Sequence, residues 1–492
     1  MGLIAVSLSG GAAPVVPPVE GDYDGPVAAL RHVLAAPAGD PPVALVAGTV
    51  GGSGAVGTAR CAAVGVSPLS GGIAETRAEG PFAAGLRAAG VTGVVLYGRA
   101  PSPSVVVIED GAARIEPAGD LWGLETGEAT SLLLGRYGAS AAVAVIGPAG
   151  ERGVPYASVI TCRHHPLPRL GFGAVLGERN VKAVVCVGSS VPPVRSPSVL
   201  TSLAARYASA ASANSLSSWQ KGLPGFGVWS GEPGYAPVDG FTDTTRGFSP
   251  PPPPGPAAIA ACPGCPTDCV KVYAGAGLHQ EALAALGGDW SQLRVHEQQG
   301  TDPVSATGRL TVNGVAVPPF DPRVQPNLGL AYVVAPIGPR YDIIEHDLDF
   351  DPVDGLPAAY PEMERLGLAV PRPRGELDVE RTAQLMRLWS GLDALGVCLF
   401  ASTPTRPLTL TMVEDLVEAV TGRRPDVLAL GATRLRLQHQ VNQRLGLPPG
   451  VMPDLFFDEP VRSGKYAGAV LDRPSFEAAA DALREEVLTS AP

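Results

Sequence analysis

Three of the chain's seven cysteines, Cys262, Cys265 and Cys269, fall within eight residues in the spacing Cys-x2-Cys-x3-Cys. Thiolates this close can surround one soft metal centre, so whatever fold the chain adopts must turn its backbone tightly at this point. Gly264 and the prolines at 263 and 266 supply such turns. A zinc site usually draws on two separated pairs or on histidines. A cubane iron–sulfur cluster takes four thiolates, commonly three local and one distant. Zinc and a run of buried core cysteines remain the alternatives. Cys398 is the single cysteine after the cluster and the natural fourth ligand, whereas Cys61, Cys162 and Cys186 sit in apolar, strand-like surroundings and read as small core residues. An odd cysteine count in a reducing compartment argues against a disulfide framework.

At 492 residues with 45% hydrophobic residues, the chain can build several cores. Short apolar runs between turn residues make residues 1 to about 190 β-rich: 43–47, 93–97, 105–108 and 182–187 read as strands, with helical patches at 82–89 and 126–137. Residues 199–220, 280–300, 376–447 and 474–488 have helical spacing. Five consecutive prolines at 250–254 mark an extended surface linker. The expected architecture is α/β followed by α: a β-rich mixed N-terminal domain (1–195), a helical domain carrying three cysteines (196–310) and a mainly helical domain carrying the fourth (311–492). A cofactor site is expected between them. The net charge of −11 with no basic cluster argues against a nucleic-acid partner. No apolar stretch reaches transmembrane length and the N-terminus lacks a signal-peptide pattern, so a cytoplasmic location is expected.

The three-plus-one layout, with Cys398 in an Asp393-x-x-Gly396-x-Cys398 motif, resembles the aldehyde ferredoxin oxidoreductases. Further segments carry the resemblance from about residue 40 to 460: Ser67 to Gly71, Leu121 to Gly123, Ile146 to Glu151, Gly171 to Gly177, Asn180 to Ala183, and Asp321 to Arg323 followed by Gly329 to Tyr332. The resemblance implies a 4Fe-4S cluster on Cys262, Cys265, Cys269 and Cys398, and tungsten or molybdenum on two pterins. Arg60, Arg169, Asp302 and Asp393 would lie near the pterins, with the glycine backbone at Gly80, Gly171, Gly173 and Gly396. It also implies oxidation of an aldehyde to a carboxylic acid, electrons passed singly to ferredoxin or a similar carrier, and a homodimer.

Glu281 matches the family's active-site glutamate. The family's active-site histidine position holds Tyr341, with His346 as the nearby substitute acid–base. Three further departures stand out. Arg77 replaces an expected Asn, the segment between Gly308 and Asp321 is short, and the family's Arg-Gly-Trp-Asp ending is missing. These departures leave open a different redox reaction in a specialised biosynthetic pathway, or a degenerate member acting as a partner subunit.

Overall fold

The computed structural model describes residues 1–11, 13–14, 16, 25–214, 237–238, 241, 243–244, 258–259, 262, 264–267, 271–272, 310–318, 320–350, 360–368, 375–402 and 405–489. The N-terminal part is two mixed sheets. The first has the order β1-β5-β2-β3-β4, from β1 (Leu3–Ser7), β2 (Val43–Ala47), β3 (Arg60–Val66), β4 (Ile73–Glu79) and β5 (Gly93–Tyr97). The second has the order β10-β9-β8-β11-β6-β7, from β6 (Ser104–Glu109), β7 (Ala112–Pro117), β8 (Ala142–Val145), β9 (Val159–Thr161), β10 (His165–Leu167) and β11 (Val181–Val187). Parallel pairing occurs between β1 and β5 and between β11 and β6; the other pairs are antiparallel. Residues of both sheets share one apolar core with α2 (Phe82–Ala88) and α4 (Phe172–Glu178), while α3 (Thr126–Tyr137) closes a second core on the far face of the six-stranded sheet.

The C-terminal part is helical: α6 (Pro326–Val334), α7 (Val379–Leu395), α8 (Leu410–Thr421), α9 (Val427–Leu445) and α10 (Arg473–Arg484). It shares a core with α1 (Pro26–Ala35), α5 (Pro197–Ala213) and one face of the five-stranded sheet. Gly391 and Gly431 let α7 and α9 touch backbone to backbone, since a Cβ on Gly391 would lie within 3 Å of Val427 and one on Gly431 within 3 Å of the Gly391 nitrogen. The expected mixed-sheet region followed by helices is thus present. The strands read at 43–47, 93–97, 105–108 and 182–187 and the helices at 82–89 and 126–137 all formed, while the stretch 280–300 lies outside the described residues.

Strand β4 escaped that reading because its sequence, Ile-Ala-Glu-Thr-Arg-Ala-Glu, is nearly half charged, yet every residue is buried. The charges alternate. Glu75, Arg77 and Glu79 share one face of the pleat, while Ala74 and Ala78 face the sheet core. The charged face meets α9, whose Arg434, Gln438 and Asn442 recur every four residues on one buried stripe. Asn442 ties the two together: its Oδ1 accepts the Ile73 amide at 2.7 Å, and its Nδ2 donates to the Pro336 carbonyl at 2.8 Å. Cys162 also departs from its strand-like reading. It follows β9 in a left-handed conformation, φ 44°, next to Arg163 at φ 71°, and is only partly buried.

Candidate functional site

The motif from Asp393 to Cys398 is a helix ending. α7 runs from its N-cap, where the Asp378 carboxylate accepts the Arg381 amide at 3.1 Å, to Leu395. Gly396 stops it in the left-handed region at φ 81°, with the Gly396 amide bonded to Asp393 O and the Val397 amide to Leu392 O. A side chain at Gly396 would collide with the Gly48 backbone, its Cβ falling 2.9 Å from Gly48 Cα. The reversal carries Cys398 onto the loop between β2 and β3, where its amide donates to Gly57 O at 2.8 Å.

The same loop receives the first cysteines. Cys262 and Cys265 form a turn, with the Cys265 amide donating to Cys262 O at 3.1 Å and Gly264 at φ 73°. A Cβ on Gly264 would be 2.5 Å from Gly54 O. Thr267, just beyond, is buried and bonds Tyr207 of α5 through the two hydroxyls at 3.2 Å. Residues 54–57 therefore seat both cysteine segments. Cys269 lies outside the described residues, as do Glu281 and Asp302. No disulfide joins the described cysteines.

Behind this loop is a buried charge network. Arg60 and Glu79 are register partners across β3 and β4 and form an ion pair, with Arg60 Nε donating to Glu79 Oε1 at 2.7 Å. Arg60 Nη1 reaches Asp393 Oδ1 at 2.5 Å. The other oxygen of Asp393 pairs with Arg77 and with Arg434 Nη1, the latter at 3.5 Å. Arg77 Nη1 also donates to Asp342 Oδ2 at 2.9 Å, and Arg340 grips Asp342 at 2.8 and 3.0 Å. Arg434 Nη2 bonds Glu75 Oε2 at 2.6 Å, and Gln438 donates to Glu75 Oε1.

Four guanidinium groups thus meet four carboxylates, all with under a tenth of their side-chain surface exposed. Burial weakens Arg77's hold on its proton, and the neighbouring Arg340 and Arg434 add to this, against the pull of Asp393 and Asp342; the guanidinium is brought down to about 10. Asp342 resists its own desolvation because Arg340 and Arg77 hold its carboxylate well below the usual range. Cys398 lies within the electrostatic reach of Arg60.

The other sequence-marked residues are placed as follows. Gly80, at φ 139°, faces the ring of the buried His165, whose Cγ would be 2.5 Å from a Cβ there. Gly171 follows two further left-handed residues, Arg169 and Leu170, at φ 62° and 55°. It packs on Pro68 and Pro155, and Gly173 packs on Ala157 and Ser158. Arg169 is buried and its Nη2 donates to Ala316 O at 2.5 Å. Tyr341 and His346 sit together beside Phe320, and His346 Nε2 lies 2.7 Å from Tyr341 O. A carbonyl only accepts, so Nε2 carries the proton and Nδ1 is the basic nitrogen. Burial lowers the imidazole's affinity for a second proton. Sequence reading missed Glu75, Glu79, Asp342, Arg340 and Arg434; the alternation of Glu75, Arg77 and Glu79 was the signal available.

These residues fit the implied groups unequally. The segments of Cys262, Cys265 and Cys398 border one loop and offer the soft thiolates that a cubane takes, although among the described residues no three Cys, His, Asp or Glu side chains are grouped closely enough to hold a metal ion. For an anionic pterin, Arg60 gives three of its five N–H donors to Glu79 and Asp393, leaving two. Asp393 has both oxygens engaged by arginines, and the cavity beside it, lined by Arg77, Trp389 and Gln438, is about 20 Å³, enough for one water. Asp393 thereby orients Arg60.

The sequence matches the family model described as "Aldehyde ferredoxin oxidoreductase, N-terminal domain" over residues 32–188 and that for "domains 2 & 3" over residues 293–486. A tungsten-containing aldehyde ferredoxin oxidoreductase from Pyrococcus furiosus is 34% identical over 151 residues, 30% of this chain and 25% of that protein. The protein of the same description from Pyrococcus horikoshii is 37% identical over 123 residues, 25% of this chain and 20% of that one. The WOR-like subunit of an aliphatic sulfonate oxidoreductase from Pyrococcus furiosus is 30% identical over 140 residues, 26% of this chain and 22% of that subunit. These alignments span about a quarter of each relative's length. Among solved structures, the active-site complex BamBC of benzoyl coenzyme A reductase superimposes with a TM-score of 0.65 at 16% identity, covering 91% of this chain and 90% of that one. At that identity it speaks to the fold alone. No helix among the described residues is long and apolar enough to cross a membrane.

Proposed function

The chain belongs to the aldehyde ferredoxin oxidoreductase family, and from that premise we propose that it is a tungsten- or molybdenum-dependent oxidoreductase that oxidises an aldehyde to a carboxylic acid and passes the electrons to a ferredoxin-type carrier. The observation that carries this reading is the convergence of the two cysteine segments on residues 54–57, beside Arg60 and Asp393. When bound, the pterin-held metal supplies two-electron chemistry and the cubane supplies single-electron relay. Cys262, Cys265, Cys269 and Cys398 would hold the cubane, and Arg60, Arg169 and Asp302 would hold the pterins. Asp393 fixes Arg60 by a buried ion pair, so the guanidinium meets its anionic ligand already oriented.

On the substrate side, Glu281 and His346 are the proposed acid–base groups. His346 is held through Nε2, which keeps the lone pair at Nδ1 for a proton released during oxidation. Tyr341, which stands at the family's histidine position, contributes its carbonyl to that arrangement. A second reading, the same cofactors serving a different redox reaction, is favoured by Tyr341 and by the short segment before Asp321. Aldehyde-dependent reduction of a one-electron dye by anaerobically purified protein tests the first reading. Reduction by a panel of aldehydes is the expected result, and a metal-replete protein that reduces dye with none of them would overturn it.

A further inference from the structure

Residues 345–349 bring two carboxyl groups together, and one of their oxygens is buried without a hydrogen bond. Glu345 is 1% exposed. Its Oε1 accepts from Thr405 Oγ1 and from Arg406 Nη1, the latter at 3.0 Å. Among the described residues, its Oε2 is buried with no N–H or O–H donor. The Asp349 carboxyl lies within hydrogen-bonding reach of Glu345, and Asp349 Oδ2 also accepts the His346 amide at 3.3 Å. The two carboxyls thus lie together, and among the described residues Glu345 Oε2 has no hydrogen-bond partner.

The charges point the same way. Among the described residues, Arg406 is the cation that pairs with Glu345. The other charged or titratable groups facing the pair are His346, Asp347 and, more remotely, Asp342. Asp347 has its own partners: its oxygens accept the Asn327 and Leu328 amides and the Asn327 side chain. Asp342 is held by Arg340 and Arg77. Glu345 is buried and Asp349 part-buried, so two ionised carboxylates beside one guanidinium would leave a negative charge poorly compensated. One proton between them restores neutrality and fills the empty hydrogen-bond position.

We propose that Glu345 and Asp349 hold one proton in common and serve as the proton store for the oxidation, resting this second part on the function proposed above. Its position is apt on two counts. Thr405 and Arg406, which bond Glu345, follow Cys398 in the sequence, and His346 donates its amide to Asp349 Oδ2 and its Nε2–H to Tyr341 O. Oxidation of an aldehyde with water to a carboxylic acid releases two electrons and two protons. The electrons leave through the one-electron carrier. A proton accepted at His346 Nδ1 passes to the pair, which goes from one shared proton to two, and then to solvent in exchange for the next. The pair titrates as a unit, so neither residue owns the store.

Infrared difference spectra of the full-length protein, wild type minus Glu345→Gln and wild type minus Asp349→Asn, test the shared proton without turnover. At pH 8 both differences should show a protonated-carboxyl C=O band, because either substitution leaves a lone carboxylate beside Arg406. Absence of that band in both would overturn the proposal. The role as a store is read from the pH profile of dye reduction: each variant should lose about tenfold in rate, with the pH limb of the pair abolished. A band present alongside an unchanged pH profile in both variants would overturn the store. A wild-type enzyme with the band but no aldehyde oxidation would instead sink the proposed reaction.

Discussion

Replacing Arg77 by Asn, the residue the family resemblance leads one to expect there, removes one cation from a balanced buried network. Arg77→Asn leaves four carboxylates facing three guanidinium groups; Asp342 keeps Arg340, and Asp393 keeps Arg60 and the 3.5 Å contact to Arg434. Leaving one buried charge uncompensated costs about 3–5 kcal/mol. Asp342→Asn makes the opposite error, three carboxylates against four guanidinium groups, at a similar cost of about 3–5 kcal/mol. The double variant restores balance. Because both singles lose the same 2.9 Å pair, the double should be less destabilised than their sum by about 2–3 kcal/mol. Urea unfolding followed by tryptophan fluorescence, with midpoints and slopes compared among the four proteins, reads this coupling. Additive costs, within about 0.5 kcal/mol, would refute the view that Arg77 and Asp342 act as a pair within one charge-balanced unit.

Other parts of the structure make further predictions. Burial pushes the Asp347 carboxyl up to about 6, in spite of the Asn327 side chain and the α6 amides that bond it. Since its folded pKa exceeds its unfolded value, the folded state binds the extra proton. Asp347 therefore adds stability below about pH 4 that is lost as pH rises towards 6. Asp347→Asn should flatten the stability profile across that window, and an unchanged slope would contradict the assignment. Gly80→Ala places a Cβ against the His165 ring at a backbone angle that suits glycine, and should lower stability by about 2–4 kcal/mol, measured by thermal unfolding. The companion His165→Ala should recover part of that loss. Lys182, buried in β11, pairs with Glu151 and donates to Leu124 O at 2.8 Å; Lys182→Met should cost about 3 kcal/mol, and less when combined with Glu151→Gln.

Much of this was legible in the residues. The strands at 43–47 and 93–97 are unbroken apolar runs, and the helix over 126–137 shows its period plainly. The Asp393-x-x-Gly396-x-Cys398 spacing has a local cause that can be read directly: a last helical turn, a left-handed glycine, and a cysteine two residues on. What the sequence hid was the inside of the charge network. β4 looks like a surface segment until α9 is placed over it, and the Arg434, Gln438 and Asn442 stripe looks solvated until β4 is placed under it. Each is polar because the other is, and a single chain read from end to end does not pair residues some 360 positions apart. For the same reason the arginine partners of both Asp393 oxygens were not legible in the sequence. The glycines also have a packing cause that only the fold reveals. Gly80, Gly171, Gly173 and Gly396 all admit close approach, and the atoms that approach are those of His165, Pro68 and Pro155, Ala157 and Ser158, and Gly48.

The cysteine set is the proposed seat of a cubane next to a pterin-held metal. Anaerobically purified wild-type protein and Cys398→Ser should therefore be compared for iron, tungsten, molybdenum and zinc per chain. About four irons and one tungsten or molybdenum in the wild type, with iron falling sharply in Cys398→Ser, is the predicted result. Zinc in place of iron, or iron unaffected by loss of Cys398, would contradict it.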